Sequence, residues 1–68
     1  MTQAALDLFE EHAKLENALV LARVRKDSVL ESEILKKMED IYNLAKNQNL
    51  LEVLSRIEHR MIRRGITA

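Results

Sequence analysis

From Leu30 to Met61 the apolar side chains of this chain recur at helical spacing, yet the stripe they form changes sides part-way along. Leu30, Ile34, Met38, Ile41 and Ala45 make the first part, flanked by Leu35, Tyr42 and Leu44. Leu50, Leu54, Ile57 and Met61, with Val53 beside them, make the second. On one straight helix at ~100° per residue the two parts would lie roughly 160° apart. Either the chain breaks between them and folds the second part back onto the core, or it runs on and shows that part to another molecule. The segment "AKNQNLLEVL", residues 45–54, spans the change with three consecutive amide side chains and neither Gly nor Pro. Asn tolerates the left-handed conformation that ends a helix and also caps a new one. The expectation is therefore a break, with Asn47 as terminator and Asn49 as cap.

Upstream, Thr2 is the expected cap of a first helix, with Asp7, Glu10 and Glu11 in its early turns, where carboxylates favour the positive helix end. Leu8, His12, Leu15, Leu19 and Ala22 fall on one stripe of this helix. Leu6, Phe9, Ala13, Val20 and Val24 form a second, about a third of a turn or more away. A helix apolar on two sides needs two neighbours. Arg23, Arg25 and Lys26 close it with positive charge at its negative end. In "SVLE", Ser28 and Glu31 have the capping-box spacing, with Asp27 as the alternative cap, and so short a turn makes the first two helices an antiparallel hairpin. Gly65, after Arg63 and Arg64, ends the last helix. The reading is an all-α single domain over residues 1–68: an antiparallel helical hairpin plus a third helix, with helices at about 3–26, 29–46 and 50–64. It is a small three-helix bundle, or a long-helix hairpin if residues 46–49 stay helical.

One Gly, no Pro, one Phe and one Tyr in 68 residues leave a core of aliphatic side chains packed between helices. A chain this short buries only about 60% of its unfolded surface. It has no Cys for disulfides or thiolate metal sites, and two His residues cannot complete a structural zinc site unaided. Oligomerisation is the remaining compensation, most simply a two-fold homodimer. No apolar run approaches the ~20 residues of a membrane span, and Met1-Thr2-Gln3 does not open a signal peptide, so a soluble cytoplasmic protein is expected.

No Gly-rich phosphate loop, nucleophile elbow or paired-histidine zinc helix is present, and the adjacent Glu and His of "FEEH" and "IEHR" do not face each other on a helix. The expectation is no enzyme and no cofactor or metal. His12 is read as an interface histidine bonded to a nearby carboxylate or kept at the solvent rim, with no second ligand counted three or four residues on. The surplus of apolar stripes points instead to an adaptor, co-chaperone or regulatory subunit that binds itself or a helical partner. The expected contact residues are Leu6, Phe9, Ala13, Val20 and Val24, with Leu51 and Ile62 at the edge. The alternative is a nucleic-acid regulator using a ridge of Arg56, Arg60, Arg63 and Arg64, with His59 beside them. Zero net charge and the lack of an aromatic within the ridge weigh against it. The same ridge could meet an acidic partner, which Glu31, Glu33, Glu39 and Asp40 would supply inside a homo-oligomer.

Overall fold

The Thr2 side chain accepts a hydrogen bond from the Ala5 amide at 3.2 Å and starts helix α1, Gln3–Val24. The computed structural model describes residues 2–66 and places two further helices, α2 at Ser28–Asn47 and α3 at Leu51–Arg63. Among the described residues there is no strand. The chain breaks where the apolar stripe changes sides, and α3 packs back against both other helices. Among the described residues no helix is long and apolar enough to cross a membrane.

All three helices end in the same way. A residue with positive φ follows the cap: Lys26 at 58°, Asn49 at 58° and Gly65 at 69°. The next amide then reaches back to a carbonyl in the last turn, from Asp27 to Ala22, Leu50 to Ala45 and Ile66 to Met61. These are Schellman ends, which satisfy carbonyls that a helix terminus otherwise leaves unpaired. Leu50 and Ile66, which follow the left-handed residue, turn inward and pack on the core beside the helices they terminate.

These ends correct several details of the expected boundaries. Helix α1 stops at Val24 because Lys26 is left-handed, so Lys26 belongs to the turn. Asp27 caps α2 by accepting from the Leu30 amide, and Ser28 is already inside the helix. Glu31 turns away from the capping box and takes the Arg23 guanidinium at 3.1 Å. Asn47, expected as the terminator, is the last residue of α2, and Asn49, expected as the cap of α3, is instead the left-handed residue of the turn; the cap of α3 is Leu50, which makes no side-chain capping bond.

The core has two parts. Leu19 and Ala22 of α1 meet Ile34 and Met38 of α2 and Ile66 at one end. Ala5 meets Ala45, Val53 and Ile57 at the other, and Met61 packs against both. The small residues Ala5, Ala22 and Ala45 let the helices approach closely, and Leu19 and Ile57 fill the space between them with no solvent exposure.

A left-handed conformation costs an ordinary L-residue roughly 1 kcal/mol, and Asn less than Lys. Lys26→Gly is expected to raise the free energy of unfolding by about 1 kcal/mol, and Asn49→Gly by a smaller amount. Urea denaturation followed by circular dichroism checks both, and a loss of stability in Lys26→Gly would contradict this account of the turn.

Candidate functional site

Two buried polar residues stand one turn apart on the inner face of α1. His12 is 1% exposed and Glu16 has no exposure at all. The four-residue spacing brings them together, and His12 Nδ1 lies 2.6 Å from Glu16 Oε2. The same carboxylate oxygen receives Arg60 of α3, whose Nε donates at 2.8 Å and whose Nη2 stands 2.6 Å away. Arg60 Nη2 also donates to the Phe9 carbonyl at 3.3 Å, and its guanidinium lies 4.1 Å from the centre of the Phe9 ring. The other oxygen, Glu16 Oε1, has no hydrogen-bond partner among the described residues; the Arg64 Nε is 3.7 Å away, while Arg64 Nη1 is held by Asn17 Oδ1 at 2.7 Å.

Burial is the main cause that pushes the His12 imidazole below its ordinary value, and the Arg60 charge adds to this. The hydrogen bond and charge of Glu16 pull the other way without overcoming burial. His12 is thus neutral near pH 7 and donates its Nδ1 proton to Glu16. His12 also lines a groove between α2 and α3.

That groove has a volume of about 430 Å³ and an apolar lining of Leu35 and Met38 from α2 and Met61 and Ile62 from α3. Its two charged residues are both acidic, Glu39 and Glu58. Tyr42 spans the two helices by donating its hydroxyl to Glu58 Oε1 at 2.6 Å, and this bond raises the pKa of the phenol. The two carboxylates on the walls offer acceptors. The size is that of a ligand or anchor-residue site.

The expected contact residues are spread over several surfaces. Val20, Val24 and Leu6 are exposed on α1, Leu51 is exposed at the start of α3, and Ile62 lines the groove. Phe9 and Ala13 are half-buried, Phe9 because Arg60 lies over its ring and because it packs on the core. The basic residues do gather, and Arg56, His59, Arg60, Arg63 and Arg64 surround a cleft with Phe9. Within it, however, Arg56 is paired with Glu52 at 2.8 Å, and Arg60 and Arg64 face Glu16. Glu16 was missed by the sequence reading, which discounted a partner at the fourth position after His12. An acidic residue on the inner face of an amphipathic helix was the available signal. Among the described residues no group of three His, Asp, Glu or Cys side chains is placed to hold a metal ion. Neither a known family, nor a curated protein, nor a solved structure matches the chain.

Removing one partner of a buried ion pair strands the other charge, at a cost of about 3 to 5 kcal/mol. Arg60→Met is expected to lower unfolding stability by about 3 kcal/mol, with part of that loss recovered in the double variant Glu16→Leu/Arg60→Met. A double-mutant cycle in urea measures this coupling, and simple additivity would refute it. Because the folded-state value of His12 lies below 6.5, the unfolded chain binds its proton more tightly. Its contribution is complete above about pH 6.5 and declines as the pH falls through the folded value. Nuclear magnetic resonance titration of the His12 ring should place its midpoint below 6.5.

Proposed function

We propose that this chain is a non-catalytic interaction module whose working surface is the α2–α3 groove, and that its occupant is an amphipathic helix with basic side chains beside its apolar ones. The observation that carries this reading is the lining: four aliphatic or thioether side chains between two carboxylates, with no cation among them. Such a groove takes apolar anchors at helical spacing and selects positive flanks by charge. Met38 and Met61 at its base are flexible enough to adapt to more than one anchor shape. The basic cleft on the other side of α3 supports nucleic-acid binding less well, because three of its four arginines already face carboxylates of the same chain.

The test uses two designed amphipathic peptides, identical in their leucines, one with lysines and the other with glutamates on the polar face. Titrated into isotopically labelled protein, the lysine peptide is expected to shift the amide signals of Leu35, Met38, Tyr42, Met61 and Ile62 saturably, and the glutamate peptide to leave them in place. Ile62→Glu, a change at an exposed position, should weaken the lysine peptide at least about tenfold. Equal response to both peptides, or shifts confined to other surfaces, would remove the groove from consideration.

A further inference from the structure

We infer that the groove receives the C-terminal end of α1 from a second copy of this chain, which rests on the groove reading above and names its partner. The last turns of α1 carry an apolar ridge that nothing among the described residues covers. Leu21 is 54% exposed and Val24 74%, with Val20 beside them. Leu21, Val24 and Arg25 have the spacing of residues that enter a groove from one face of a helix.

The charges around the ridge are positive. Arg25 and Lys26 make no ion pair among the described residues, and Arg64 lines the hollow beside Val20 and Leu21. Of the carboxylates near the turn, Glu31 is paired with Arg23, and Asp27, which accepts from the Leu30 amide, leaves the cations in excess. An apolar ridge with basic flanks thus stands on the same molecule as an apolar groove with an acidic rim, in a chain whose net charge is zero. Each has the chemistry the other lacks.

Geometry sets how copies join. At ~100° per residue, Leu21 lies about 160° around α1 from the buried Leu19, so the ridge faces away from α2 and α3. The groove opens between α2 and α3, with His12 of α1 at its inner side. A ridge and a groove on opposite sides join copies head to tail, and each added copy leaves one free ridge and one free groove. A contact made by one helix end is smaller than a standard stable interface, so association is weak and grows with concentration.

Analytical ultracentrifugation of the full chain, up to about 1 mM, tests this in the range where small interfaces form. The wild type is expected to grow beyond a dimer as concentration rises. Val24→Glu and Ile62→Glu, at positions 74% and 64% exposed, should each give a helical monomer. Mixed in equal amounts, these two variants should form a heterodimer that goes no further, because one retains the groove and the other the ridge. Arg25→Glu should weaken association at least about tenfold, and Arg25→Lys should leave it unchanged. A wild-type monomer at all concentrations would overturn the inference, while binding of the lysine peptide would leave the groove reading standing. A wild type that saturates as a dimer, or a mixture that stays monomeric, would also overturn it.

Discussion

A carboxylate taken out of water must be met by donors, and Glu16 meets its strongest ones only where α3 crosses α1 with Arg60 at the crossing. Aliphatic contacts such as those of Val53 and Ile57 tolerate small rotations of a helix. A carboxylate oxygen approached by an imidazole and a guanidinium does not, because each donor must keep its distance and direction. The ion cluster thereby sets the rotation of α3, and with it which α3 residues face the core, the groove and the basic cleft. Arg60 cannot serve as a free surface cation while it has this duty.

The His12 ring connects two environments. One nitrogen belongs to the Glu16 cluster, and the residue is also part of the groove lining. Neutral imidazole suits both, since an ionised ring would carry charge into an apolar lining. Tyr42 has a comparable position on the rim, where its bond to Glu58 ties α2 to α3 and fixes one acidic wall. The groove is therefore framed by hydrogen bonds at both its floor and its edge.

Much of the helical plan was legible in the residues. The side change between Ala45 and Leu50 pointed to a break while leaving a continuous helix open, Thr2 announced the first cap, and Gly65 the last stop. The turn chemistry was less accessible, because Asp27 can close one helix and open the next while Ser28 and Glu31 offer a competing box. Asn49 had two permitted roles, and the structure uses the left-handed one. Glu16 was hidden for another reason: periodicity puts it on the inner face but its charge ranks it as exposed, and only the arrival of Arg60 from 44 positions away makes its burial tolerable. The groove was illegible for the same reason, since it exists only between two helices whose relative rotation depends on that contact.

The Schellman ends have a mechanical consequence. Each connection consists of a few residues already tied back to the preceding helix, so neither turn has slack. If α3 leaves the core, Arg60 and Ile62 travel with it as parts of one helix. Lifting the guanidinium from Glu16 and the Phe9 ring and displacing one wall of the groove are then a single movement, which ties the ion cluster to the groove.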